Sequence, residues 1–458
     1  MRTPTSYLLP LLGAATWMMP AQAQAKKNTK QPNIIFILAD DMGYGDLACY
    51  GNKVVQTPNI DKLAGEGMRF TSAYAGSAIS SPSRCALLTG KHTGHTTIRN
   101  NFCQSGGLPG LKNGNPIRRM HLLPQDSTIA TVLGSVGYRT CLVNKWHQDG
   151  FNPGAGPLDR GFDEFYGWLI STEDSNTPYY YPAKRFNNRE LVEVPENVNN
   201  ARGIHDSDLS VRESIGFIER NRENPFFLYL AFDVPHEPYH INSVEPYSNM
   251  NLSETAKLYA SLITHTDKAI GRLVEYLDKN GLRENTLIIF ASDNGGATQA
   301  PLDELKCNGA LRGRKGQMYE GGMRVPFIVN WPGKVPAGKE PANLIYFPDV
   351  MPTLADYAGA ALPQGVDGIS LRDLWSGKKQ VTDNRVFYWE FPNEQVAVRK
   401  NGWKAVSVKR NAPLELYQIQ NDPYETTNLA DVHPEILEDL KKEIEKAHTP
   451  SLYWPAKN

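Results

Sequence analysis

The stretch Asn33-Ile34-Ile35-Phe36-Ile37-Leu38-Ala39-Asp40-Asp41 decides the fold. Its apolar run over residues 33–38 is rich in isoleucine and has no polar alternation, so it reads as a strand buried on both faces. Runs of the same character stand at residues 139–143, 226–232, 287–291 and 326–330. Helical patterns fall between them, at residues 57–66, 127–136, 208–221 and 253–279. Alternating strand and helix predicts an α/β fold, a large mostly parallel sheet flanked by helices on both faces.

The residues just beyond each strand point to a site. Asp40-Asp41 comes after the first, Lys145-Trp146-His147 after the second, His236 after the third and Asp293-Asn294-Gly295 after the fourth. In open α/β sheets ligands bind outside the carboxyl ends of the strands, so four strands aim polar groups at one edge. Three carboxylates and an amide oxygen are hard ligands that suit calcium or magnesium and not zinc. Asp-Asn-Gly alone is more often a turn; two such pairs at strand ends argue for a metal. His147 and His236 stand next to Trp146 and Pro235 at strand ends, whereas His433 and His448 read as surface residues.

Between the first two strands lies Ser80-Ser81-Pro82-Ser83-Arg84-Cys85-Ala86-Leu87-Leu88-Thr89-Gly90-Lys91. A loop with Pro82 opening a helix through Leu88 explains its backbone. It does not explain the arginine.

The chain has 458 residues, 40% of them hydrophobic, and can bury a large core. Its 48 Lys and Arg against 49 Asp and Glu create no long-range field, which argues against nucleic acid or an anionic membrane as partner. Arg2, a short apolar stretch over residues 7–19 and Ala21-Gln22-Ala23-Gln24-Ala25 have the layout of a cleavable secretory signal, cut near Ala23 or Ala25. That stretch is shorter than the roughly 20 residues that span a bilayer, so no stable membrane insertion is expected. The expected location is the periplasm or the exterior. Five scattered cysteines allow two disulfides at most, and Cys85 and Cys141 read as buried free thiols. From about residue 375 short alternating strands take over, at residues 385–390, 395–399 and 403–409, with an Asn401-Gly402 turn and a closing helix at residues 434–448. The expected organisation is a signal over residues 1–25, a catalytic α/β domain over residues 26–374, and a small antiparallel sheet with its helix over residues 375–458.

Ser80-x-Pro82-Ser83-Arg84-x-x-x-Leu88-Thr89-Gly90 resembles the signature of the type I sulfatases of the alkaline-phosphatase-like superfamily, in its bacterial serine form. The resemblance extends to residues 33–45, Gly137-Tyr138-Arg139-Thr140, Lys145-Trp146-His147, Pro235-His236, Ser292-Asp293-Asn294-Gly295, residues 311–315 and 320–326, and residues 416–429. It departs at Asn144, where glycine is usual, and at Gln148-Asp149. It implies that Ser80 is oxidised by a maturase to formylglycine. It further implies one calcium ion held by Asp40, Asp41, residue 80, Asp293 and Asn294. Arg84 would steady the aldehyde hydrate with Lys145 and His147 beside it, and Lys315 and His236 would bind the sulfate. His236 would also protonate the departing sugar oxygen. A sulfated saccharide is the implied substrate, with a galactose or N-acetylgalactosamine sulfate at a chain end favoured. His95, Arg99 and Asn100 come soon after the signature and are expected at the sugar, although a polar loop accounts for them equally well. Two rivals stand: a phosphate-ester hydrolase using Ser80 directly, and a sulfated-glycan binding protein with Ser80 unconverted.

Overall fold

In a computed structural model of the chain, β1 (Asn33–Ala39) sits in the middle of a nine-stranded sheet. The structure describes residues 1, 31–112, 115–149, 154–169, 179–378, 384–392 and 394–455, and the expected leader lies outside them apart from Met1. Strands β2 (Met68–Phe70), β3 (Arg139–Lys145), β4 (Glu164–Trp168), β5 (Lys184–Asn187), β6 (Glu190–Glu193), β7 (Phe226–Ala231), β8 (Thr286–Ser292) and β9 (Phe327–Asn330) complete the sheet. Their order is β2-β9-β8-β1-β7-β3-β4-β5-β6. The five central strands, β8 to β4, run parallel, and both margins are antiparallel.

The continuous apolar run of β1 has a plain cause. Ile34, Phe36 and Leu38 enter one core, with Leu87 and Leu88 of α2 (Ser80–Thr89) and the helix α6 (Val350–Ala358). Ile35 and Ile37 enter the other, with α1 (Pro58–Gly65), α4 (Asp206–Asn221) and α5 (Glu254–Lys279). A strand covered on both faces has no solvent side to carry polar residues. Truncating Phe36 to alanine removes a side chain that is 1% exposed, at a cost of about 3–5 kcal/mol.

The segment expected as a strand at residues 326–330 forms β9 but runs antiparallel to β8. Strands β2, β4, β5 and β6 lie outside the sequence expectation. They are short, and β6 is almost wholly exposed, so no apolar run marks them. The shorter helix α3 (Ile129–Gly134) is closed by a capping box in which Thr128 accepts the Thr131 N–H and the Thr131 hydroxyl accepts the Thr128 N–H. All five cysteines are free, with Cys85 and Cys141 buried.

Near the C-terminus β10 (Phe387–Phe391), β11 (Gln395–Lys400), β12 (Trp403–Ser407) and β13 (Glu415–Gln418) form an antiparallel sheet in sequence order. One face packs Trp389, Ala397, Val406 and Tyr417 against Tyr74, Met318 and Met323; the other is covered by Leu440 of α7 (Pro434–Ala447). At the first interface Lys404 is fully buried, with Nζ 2.9 Å from Glu320 and 2.8 Å from Glu425. Gln31–Asn458 is one compact unit.

Candidate active site

The carboxyl ends of β1, β8, β3 and β7 bring Asp40-Asp41, Asp293-Asn294, Lys145 and the His236 loop to one place. Three backbone positions there are left-handed without being glycine: Asp41 at φ 64°, Asn144 at φ 78° and His147 at φ 52°. Each costs about 1–3 kcal/mol unless its surroundings hold it, and such strain gathers at functional sites. Asn144 shows how it is held. Its side-chain amide donates to Asp206 at 2.5 Å and to Ser210 at 3.2 Å, and asparagine tolerates this conformation better than most residues. The position where sulfatases usually carry glycine is thus left-handed.

Ser80 is the first residue of α2, with its Oγ donating toward Asp40 Oδ1 at 3.1 Å and Asn294 Oδ1 at 3.2 Å. Pro82 lies within the first helical turn, where its missing N–H costs nothing. Four residues on, one helical turn away, Arg84 reaches the same cluster and is 0% exposed. Its Nε and Nη2 lie 3.0 and 2.9 Å from Asp293 Oδ2, and its Nη1 donates to the Lys145 carbonyl at 3.3 Å. Lys145 forms a close ion pair with Asp40, and Lys315 Nζ donates to Asp41 Oδ2 at 2.6 Å. His236 Nε2 is 3.8 Å from Asp41, its Nδ1 pairs with the Glu237 carbonyl at 2.6 Å, and its ring stacks on Tyr179. His147 lies beside Lys145 and Arg84, with no hydrogen-bond partner at Nδ1.

Electrostatics follow from burial and charge. Burial opposes ionisation of Asp40, but Lys145, His236, Arg84 and Lys315 override it and hold the carboxyl well below its usual range. Burial, then the charge of Asp40, pushes Asp293 up to about 7 despite Arg84. Burial, Lys145 and Arg84 depress His147 well below the usual imidazole range, so it is a neutral base. Burial also lowers His236, with Asp41 opposing. Burial opposes the charge on Lys315, yet Asp41 and Asp40 raise it.

Oxygen atoms of Asp40, Asp41 and Asp293 all lie within 4.8 Å of one another in a fully buried setting. Asn294 Oδ1 joins them through Ser80, and the Asn294 amide donates to Asp41 Oδ1 at 2.8 Å. Arg84, Lys145 and Lys315 already balance the charge of these three carboxylates, and it is the converging all-oxygen donor set that fits a hard divalent cation.

All six expected catalytic residues and all five expected metal ligands therefore converge. The three residues expected at the sugar each have protein partners. Arg99 is 4% exposed and spends its guanidinium on Glu390 of β10 and the Thr449 carbonyl, both at 2.7 Å, which braces the C-terminal sheet. His95 holds Asp367 at 2.9 Å, and the Asn100 side chain accepts the Asn101 N–H. His92, His95 and Asp367 form a second cluster with metal-like spacing. There His92 Nδ1 accepts the Gly94 N–H, so the ring edge that faces Asp367 carries the proton and has no lone pair to give.

Two groups escaped the sequence reading. Asp233, just beyond β7, is buried 3.8 Å from Lys145 and is pushed up to about 7 by burial against that ammonium. It ends its strand as Asp40 and Asp293 end theirs, and that parallel was the available signal. Gln148 donates to the Ser81 carbonyl at 2.8 Å and ties the Lys145–His147 turn to the start of α2, which no local pattern announces.

Comparison with known proteins agrees with this geometry. The family described as Sulfatase matches residues 32–360, and the one described as N-sulphoglucosamine sulphohydrolase, C-terminal, matches residues 314–449. The chain is 32% identical over 480 residues to arylsulfatase A of Homo sapiens, covering 94% of this chain and 90% of that protein. It is 32% identical over 408 residues to N-acetylgalactosamine-6-sulfatase of Canis lupus familiaris, covering 83% of this chain and 74% of that one. Among solved structures, Ps i-CgsB in complex with k-i-k-neocarrahexaose matches with a TM-score of 0.78 at 31% identity, covering 91% of this chain and 92% of that chain.

Proposed function

The chain belongs to the sulfatase family, and from that premise we propose that it hydrolyses the sulfate monoester of a saccharide at residue 80, after oxidation of Ser80 to formylglycine. The observation that carries this is the position of the Ser80 Oγ, at a helix start and among buried metal-type ligands. Oxidation removes two hydrogens from the Ser80 side chain and needs a maturase that accepts serine. The hydrated aldehyde offers two oxygens on one carbon, one to bond sulfur as the sugar leaves and one to reform the carbonyl and release sulfate.

Asp40, Asp41, Asp293, Asn294 and residue 80 are the ligands proposed for one calcium ion, which when bound supplies positive charge to the ester oxygens. The protein side chains do the rest. Lys145, Lys315 and Arg84 surround the position where negative charge builds on sulfate in the transition state. Neutral His147, with an open Nδ1, accepts the proton of residue 80. His236 uses Nδ1–H on the Glu237 carbonyl, which leaves Nε2 to carry a proton to the departing sugar oxygen. The bound sulfate ester, itself an anion, favours that protonated state.

A terminal galactose or N-acetylgalactosamine sulfate is the proposed substrate. The likeness to N-acetylgalactosamine-6-sulfatase and to Ps i-CgsB, solved in complex with k-i-k-neocarrahexaose, supports the saccharide class. Export as a soluble periplasmic or secreted enzyme is proposed from the leader-like N-terminus, with residues 26–374 carrying the chemistry and residues 375–458 backing them. Among the described residues no helix is long and apolar enough to cross a membrane.

Mass spectrometry of the peptide spanning Ser80, from protein made with a serine-type maturase, should show the loss of two hydrogens. The same protein should turn over aryl sulfates and monosulfated sugars faster than the matching phosphates. Intact serine in an active enzyme, or phosphate turnover exceeding sulfate turnover, overturns the proposal.

A further inference from the structure

Lys145 stands between two carboxylates, Asp40 and Asp233. Leu38 of β1, Ala231 of β7 and Asn144 of β3 are level in the sheet, with β7 in the middle. Neighbouring strands lie about 4.8 Å apart, so the ammonium of Lys145 has to pass the end of β7 to pair with Asp40 on β1. Asp233, two residues beyond β7, stands on that path with its Oδ1 3.8 Å from Nζ. Among the described residues, Asp40 and Asp233 are the carboxylates within 4 Å of this ammonium.

The surroundings leave Asp233 to Lys145. Its side chain is buried, and its Oδ2 accepts no hydrogen bond among the described residues. The neighbouring Asp206 is committed elsewhere, Oδ1 to Arg185 and Oδ2 to the Asn144 amide. The backbone of Asp233 is held in place. Its carbonyl accepts the His236 N–H at 2.8 Å and the Tyr180 hydroxyl at 2.9 Å, and the Val234 carbonyl accepts the Asp40 N–H at 3.0 Å. The strand ends that carry the two carboxylates are therefore tied to each other, whereas the amine between them rides on a flexible stem. A buried carboxylate is costly unless a cation answers it, and Lys145 is the cation within reach.

We propose that Asp233 is a positioning residue for Lys145: it holds the ammonium toward the sulfate when the Asp40 carboxylate serves the metal. This rests on the ligand set proposed above. A carboxylate that ligates a divalent ion has little charge left for a second cation, and an unanswered buried ammonium beside that ion would be driven out of the site. Asp233 keeps it there from the far side. Burial, with Asp206 and Asp40, pushes the Asp233 carboxyl up to about 7 against the pull of Lys145 and Arg185, and a metal on Asp40 offsets one of the charges that raise it.

Calcium titration by calorimetry on the parent, Asp233→Asn, Lys145→Met and the double variant tests this without turnover and so without conversion of Ser80. Asp233→Asn should weaken calcium binding at least about tenfold, because Lys145 then opposes the metal unanswered. In the Lys145→Met background the same change should alter it by about twofold or less. In saturating calcium, kcat/KM of Asp233→Asn for an aryl sulfate should fall at least about tenfold. Calcium binding unchanged by Asp233→Asn, equal weakening in both backgrounds, or unchanged kcat/KM overturns the inference alone. A parent protein that binds no calcium overturns the metal assignment and this inference with it. Should Asp233→Asn fail to fold, recovery of the fold on adding Lys145→Met shows the same pairing, and an unfolded double variant where Lys145→Met folds overturns it.

Discussion

Replacing Lys315 with methionine separates the metal-binding part of the site from the sulfate-binding part, because the two should respond in opposite directions. Lys315 Nζ donates to Asp41 Oδ2 at 2.6 Å, and Asp41 is also a proposed calcium ligand. Without a metal, the three carboxylates of Asp40, Asp41 and Asp293 face three cations in Arg84, Lys145 and Lys315. A divalent ion brings the cluster to a net +2, which a sulfate ester partly offsets. Removing one ammonium lowers the repulsion that the incoming metal meets and frees Asp41 Oδ2, so calcium binding should tighten. The same change removes a charge-assisted hydrogen bond to the transition state, worth about 2–3 kcal/mol, or about 30- to 150-fold in kcat/KM. Calcium titration by calorimetry and steady-state turnover of an aryl sulfate measure the two effects on one preparation. Calcium affinity falling together with activity would refute the reasoning, for Lys315 would then be shaping the Asp41 turn and not binding sulfate. Retained activity would refute it as well.

Ser80→Ala should abolish turnover, by about 10³-fold or more, while unfolding in urea shifts by no more than the about 1–3 kcal/mol that losing its buried hydrogen bonds to Asp40 and Asn294 costs. Arg84→Met leaves buried Asp293 and Asp40 without their guanidinium, and should cost about 3–5 kcal/mol in chelator and less in excess calcium, as read by urea midpoints. Acid should weaken the fold through His205 and His92, which burial depresses to about 3 and about 4. A base depressed in the folded state gives its full stability above the unfolded value near 6.5 and loses it as pH falls toward the folded one. The two shifts together amount to about 8 kcal/mol at most, so urea midpoints should fall steeply between pH 6.5 and 4, and His205→Asn, which keeps a cap acceptor but no titrating ring, should fall less. Equal slopes for parent and variant would remove His205 as a cause of the acid sensitivity.

The central strands and the site they carry were legible because each is local. Residues 33–38 are apolar without alternation since both faces of β1 are covered, and Asp40-Asp41 comes at once after them. The edge hairpin of β5 and β6 was not legible, because a margin strand can stay polar and leaves no apolar signature. The partner of Arg99 was not legible for a related reason. The nearness of Arg99 in sequence to α2 says nothing of Glu390, which is 291 positions away and claims its guanidinium. Asp233 was within reach but lacked a neighbouring carboxylate to draw attention, and its role depends on Lys145 arriving from another strand.

The small C-terminal sheet has a direct bearing on the chemistry. Lys315 sits in a loop with no regular structure of its own, between Gly313 at φ 83° and Gly316 at φ 85°. A long amine on such a loop would sample many positions, and holding it on Asp41 needs an external brace. The sheet supplies one from several directions. Gln395 of β11 accepts the Met318 N–H at 3.2 Å and donates to the Gly316 carbonyl at 2.7 Å. Glu425 accepts the Glu320 N–H at 2.8 Å, and buried Lys404 ties both carboxylates together. Arg312, at the start of the same loop, donates to the Tyr417 hydroxyl at 2.7 Å. Among the described residues, those after 375 therefore contribute no group to the reaction centre, yet they fix the cation proposed to meet the sulfate.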